Sequence, residues 1–163
     1  MKKILFLSQT YPSAILPSLE KNSKVILDYA SHNLGTAIIS GFKQNGRDVD
    51  VINVPHVGSY PPYYKSPVIP SHKEERKDSI GYINISYIKR ISIYGQLRRK
   101  VLKWIETTSG EKAILLYNFE PLPLINSIKG KYPQIRVVLL VTDLIEYQST
   151  GMTRKWRKRK KRM

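Results

Sequence analysis

Asp143 and Glu146 stand just past an unbroken apolar run at residues 137–141. Such a run of valines and leucines, with no polar alternation, reads as a strand covered on both faces, the kind found inside a parallel sheet. In open α/β sheets, ligands bind beyond the carboxyl ends of the strands. Asp143 is therefore the candidate for a base-like group or a polar ligand contact, with Glu146 beside it. The alternative, that Asp143 only caps a following turn or helix, stays open. Other apolar segments end in polar groups in the same way: Ser8 and Gln9 after the first, Asn53 and His56 after the second, Asn118 and Glu120 before the last. Gln9, Asn118, Glu120 and Glu146 are the candidate binding residues of this set. No metal constellation is expected, because the chain has no cysteine and His32, His56 and His72 share no spacing with carboxylates. No Gly-x-Gly-x-x-Gly follows the first strand, so a dinucleotide fingerprint is absent there. Neither a Ser-His-Asp pattern nor a paired-carboxylate signature stands out.

The elements that must position these residues alternate between strand and helix. Residues 3–7 read as an apolar strand, followed by a polar loop. Helical material is expected between 22 and 45, with Leu34, Ile38, Ile39 and Phe42 on one face and Asn45-Gly46 as its stop. Residues 25–29 read either as an earlier helical turn or as a buried loop. His32 and Asn33 read as capping or surface hydrogen-bonding residues. Residues 47–53 alternate in polarity and predict a strand toward the sheet edge. A connection of roughly 25 residues rich in Pro and Tyr comes next, far above the usual loop length. Its tyrosines suit stacking on a sugar or lipid head group, or packing on their own sheet. Residues 80–86 have strand composition, and 96–107 predict a helix with Leu97, Val101, Leu102 and Ile105 on one face. Residues 113–118 predict a buried strand, 122–131 a helix with proline in its first turn, and 136–141 the central strand. Strand–helix alternation with short links predicts an α/β fold: a Rossmann-like, mostly parallel sheet with helices on both faces.

The chain has 163 residues, room for one ordinary domain, with 28 Lys and Arg against 12 Asp and Glu. Its formal net charge is +16. Half of that excess lies in residues 154–163, which hold eight Lys or Arg and no acid, so the remainder carries +8. The expected division is a domain over 1–151 and a basic, disordered tail over 152–163. Arg154, Lys155, Trp156, Arg157 and Lys158 are candidate contacts for an anionic membrane surface or for phosphates. A third reading of the tail is a shifted reading frame through purine-rich sequence. Nucleic acid is the least favoured partner, since half of the excess charge sits in the tail and the body is only moderately basic. No run of eighteen apolar residues spans a membrane, and the first apolar run is too short for a signal-peptide core. The default location is cytoplasmic, peripheral at the inner face of the membrane if the tail binds lipid.

Several short motifs, in order, resemble one family. They are Gly41-Phe42-Lys43-Gln44-Asn45-Gly46, Asp50-Val51-Ile52, Tyr60-Pro61 with Tyr64-Lys65, Gly81-Tyr82-Ile83-Asn84, Tyr132-Pro133, and Val141-Thr142-Asp143-Leu144-Ile145-Glu146-Tyr147. The chain resembles the N-terminal, acceptor-side half of bacterial GT-B-type retaining glycosyltransferases, family-4-like, over nearly everything from 2 to about 151. Relatives often carry proline where this chain has Ile145. The resemblance implies a Rossmann-like domain binding a polysaccharide or lipid-linked acceptor. It also implies that the nucleotide-sugar donor binds a second domain, so no cofactor is expected on this chain. It further implies a truncated enzyme, inactive as an isolated half. A stand-alone binding module with a basic tail is the alternative reading.

Overall fold

The computed structural model describes residues 3–118 and 121–141. Five parallel strands and one antiparallel edge strand form the main sheet, with helices on both faces, as a Rossmann-like α/β fold. β1 (Lys3–Ser8) lies between β2 (Val49–Asn53) and β7 (Lys112–Tyr117). β5 (Lys77–Ser79) extends the sheet beyond β2, β4 (His72–Lys73) pairs antiparallel with β5, and β8 (Arg136–Leu140) pairs with β7. The order is β4-β5-β2-β1-β7-β8. β3 (Val68–Ile69) and β6 (Tyr82–Ile83) form a separate antiparallel ribbon.

β1 sits at the middle because all its inner side chains are apolar. Leu5 and Leu7 face one layer and Phe6 the other, all almost wholly buried. Each such side chain contributes about 1.5–3 kcal/mol of burial free energy. The Phe6 side is covered by α2 (Tyr29–Gln44) through Ile38, Ile39 and Phe42. The Leu5 side is covered by α3 (Ser86–Thr107) through Leu97, Val101 and Ile105, and by α4 (Leu122–Lys131) through Leu124, Ile125 and Ile128. α2 starts where the Asp28 carboxylate accepts the Ser31 amide at 3.1 Å, and it stops before Gly46, whose φ of 63° suits a residue without Cβ. Pro123 stands in the first turn of α4, as the sequence predicts.

Several expectations are corrected. Helix α1 (Leu16–Asn22) is absent from the sequence reading, and of the two readings of residues 25–29 the loop is what forms up to Asp28, with Leu27 buried and Ile26 91% exposed. β2 is no edge strand: it lies between β1 and β5. The main-sheet strand that follows it is the polar segment Lys77–Ser79, and only Tyr82–Ile83 of the predicted strand at 80–86 is strand, in the small ribbon. α3 begins at Ser86, ten residues before its predicted start. β8 is not central among the described residues. It ends the strand order, and Val138 is 54% exposed, so the strand is not covered on both faces there. Of the loop tyrosines, Tyr64 packs inward and Tyr63 is exposed.

Candidate functional site

The helices that carry the chain from β1 to β2 and from β7 to β8 include one on each face of the sheet, α2 on one and α4 on the other. A crevice opens at the carboxyl ends of strands where the order reverses in this way. Gln9 stands on one lip, Asn118 on the other, and Asn118 Nδ2 lies 3.5 Å from Gln9 Oε1. Asn118 has φ of 70°, a conformation that asparagine tolerates better than most residues. These two predicted binding residues are thus brought together. Asp143, Glu146, Glu120 and the tail residues Arg154, Lys155, Trp156, Arg157 and Lys158 lie outside the described residues.

The ends of β1 and β2 are locked by one buried amide. Asn53 Oδ1 accepts hydroxyl hydrogen bonds from Ser8 and from Thr10, the latter at 2.5 Å. Gly35 of α2 packs directly on this knot: a Cβ there would meet Thr10 Cγ2 at 2.6 Å. The adjoining α2 start is internally occupied. Asp28 also accepts the Ser31 hydroxyl at 2.6 Å, and Tyr117 Oη lies 3.1 Å from Ser31 Oγ. Asp28 thus serves as the side-chain cap of α2.

On the α3 side of the crevice lies a cavity of about 420 Å³. Its floor is Leu7, Ser8, Gln9 and Tyr117; one wall is Val54, Pro55 and His56; the other is Ser86, Lys89, Arg90, Ile93, Tyr94 and Leu97 of α3, with Pro121 at the rim. A mainly apolar lining with a few convergent polar groups is what a small-ligand site requires. The wall carrying His56 is held unusually firmly. Four successive carbonyls of this loop each accept a hydrogen bond from a side chain. Pro55 O takes the Tyr82 hydroxyl, His56 O the Tyr11 hydroxyl at 2.7 Å, Val57 O the Lys89 ammonium, and Gly58 O the Asn84 amide at 2.8 Å. The His56 side chain is exposed at the cavity while its backbone is fixed. Lys89 also lies over the Tyr82 ring at 5.8 Å, and Arg90 over the Tyr94 ring at 5.6 Å.

His56 was legible as a strand-end residue; its supports were not. Tyr82, Asn84 and Lys89 cluster in sequence, but they and Tyr11 are remote from the loop they hold, and nothing in their spacing marks that target. His32 behaves as a structural residue, its Nδ1 accepting the Tyr11 amide at 3.0 Å. Among the described residues no His, Asp and Glu cluster could hold a metal ion, and no helix is long and apolar enough to cross a membrane. Comparison with known protein families, with curated proteins and with solved structures finds no match to this chain.

Proposed function

We propose that this domain binds the acceptor of a nucleotide-sugar-dependent glycosyl transfer, in the cavity beside His56. The observation carrying the proposal is the clamped His56 loop facing the crevice between β1 and β7. Transfer requires an acceptor hydroxyl held in a near-attack arrangement, and such positioning is worth roughly 7–11 kcal/mol. A wall whose four consecutive carbonyls are tied to the frame is suited to that task. In the reaction, the acceptor oxygen bonds to the anomeric carbon. The bond from that carbon to the donor phosphate breaks, and the nucleoside diphosphate leaves with its electron pair. The acceptor proton must be released, and the His56 imidazole, exposed at the cavity, is the group we assign to receive it. Gln9 and Asn118 supply further amide contacts for sugar hydroxyls.

The test is a calorimetric titration with a short-chain alkyl glucoside as acceptor probe and UDP-glucose as donor probe. The glucoside binds the native chain, and His56→Ala weakens it about tenfold, about 1.4 kcal/mol, without lowering the thermal midpoint. Binding of UDP-glucose by this chain in competition with the glucoside, or glucoside affinity unchanged in His56→Ala, overturns the reading.

A further inference from the structure

The first half of α3 has two sides. Ser86, Lys89, Arg90 and Tyr94 line the cavity, whereas Tyr87 is 92% exposed and Ile91, one helical turn on, is 74% exposed. Ile88 lies between them and is also exposed. The patch continues off the helix. Ile85 and Ile83 precede it with exposed side chains, and Val68, exposed as well, pairs with Ile83 in the β3–β6 ribbon. These six side chains form a contiguous apolar surface at the carboxyl end of the sheet. Single exposed apolar residues need no explanation, but a contiguous patch of this kind marks a contact surface.

The charge around the patch selects the contact. From 79 to 105 there is no Asp or Glu, while Lys89, Arg90, Arg98, Arg99, Lys100 and Lys103 fall within that stretch. Lys100 pairs with Asp78 at 2.6 Å and Lys89 reaches inward to Val57 O, while Arg90, Arg98 and Arg99 are exposed on α3. A second copy of this chain would meet the patch with its own identical cations, which an isologous contact would bring close together. An anionic lipid surface satisfies both features: headgroups meet the cations, and the acyl boundary receives the isoleucines and Tyr87.

We propose that the start of α3 and the β3–β6 ribbon form an interfacial surface that seats the domain on an anionic bilayer, with the mouth of the cavity turned toward the headgroups. This goes beyond the acceptor reading and stands without it. If both hold, the ligand drawn into the cavity is a lipid-linked one.

The chain has no native cysteine, so single cysteines report position cleanly. Tyr87→Cys, Ile91→Cys and, as a control at the far end of α3, Glu106→Cys would each be labelled with an environment-sensitive fluorophore on the full chain. Each is mixed with phosphatidylcholine vesicles with or without phosphatidylglycerol. The expected result is a blue shift at 87 and 91 with the anionic vesicles, and none at 106. In addition, the double variant Tyr87→Ser/Ile91→Ser partitions onto those vesicles at least tenfold more weakly than the native chain while keeping its circular dichroism. Vesicle binding that leaves labels 87 and 91 unshifted assigns attachment to the basic tail and overturns the proposal. So does a shift that follows protein concentration without vesicles, which signals a second copy. Because no sugar enters this experiment, its failure leaves the acceptor reading to its own titration.

Discussion

Tyr11 shows how one side chain couples three parts of the site. Its hydroxyl donates to His56 O at 2.7 Å and accepts the Asp28 amide at 3.2 Å, joining the β2 loop to the α2 cap. Burial pushes the phenol up to about 12; the Asp28 amide opposes that rise and the Asp28 carboxylate adds to it. The unfolded phenol ionises near 10, so between pH 10 and 12 the unfolded chain has lost a proton that the folded chain keeps. Stability owed to the neutral phenol is therefore complete below pH 10 and falls as pH rises toward 12. Tyr11→Phe should cost about 1 kcal/mol near neutrality through its lost hydrogen bonds. In denaturant titrations, the gap between native and Tyr11→Phe should narrow from pH 10 to 12; a constant gap contradicts the buried, neutral phenol. At this scale the sequence was informative about where polar groups stand, since Gln9, His56 and Asn118 follow strands and Asn53 ends one. It was silent about what fixes them, because the donors to residues 55–58 come from two distant segments, Tyr11 and residues 82–89.

At the scale of elements, α3 is the informative one. Its second half is fastened to the sheet by buried Leu97, Val101 and Ile105, by Trp104 Nε1 donating to Asp50 at 2.8 Å, and by Lys100 on Asp78. Its first half carries the exposed Tyr87, Ile88 and Ile91 and has only one side against the protein. Amide hydrogen exchange should thus protect residues 97–105 to nearly the global unfolding limit and residues 86–93 markedly less. Adding anionic vesicles should raise protection in the first half. Uniform protection along the helix without vesicles would contradict the division. This helix start was hidden in the sequence by its own composition. Ile83, Ile85, Ile88, Ile91 and Ile93 are strand-favouring residues, and only the change in spacing from two to three after Ile85 marks the turn into helix. β5 was hidden for the opposite reason. Lys77, Asp78 and Ser79 have no strand composition, and their place in the sheet comes from pairing with Val51, Ile52 and Asn53.

For the molecule as a whole, the alternation of apolar runs and helical segments was enough to give the Rossmann-like sheet, because buried parallel strands and amphipathic helices leave different patterns in a chain. The position of β8 was not readable that way. An apolar run looks the same whether its outer face is covered or, as at Val138, largely open. The frame places a cavity at the strand-order reversal, a histidine with a fixed backbone on its wall, and exposed apolar side chains on the same helix start. Its core depends on side chains such as Ile125, wholly buried on the inner face of α4; Ile125→Ala should destabilise the fold by about 2–5 kcal/mol in chemical unfolding. A loss below 1 kcal/mol would mean that α4 is not packed as described. The central claim is that the crevice beside His56 takes a sugar-bearing acceptor. The most direct measurement is an amide-detected nuclear magnetic resonance titration of the native chain with the alkyl glucoside. Shifts concentrated at Gln9, His56, Ser86, Lys89 and Tyr94 are the predicted result; shifts confined to the start of α2, or absent at millimolar probe, contradict it.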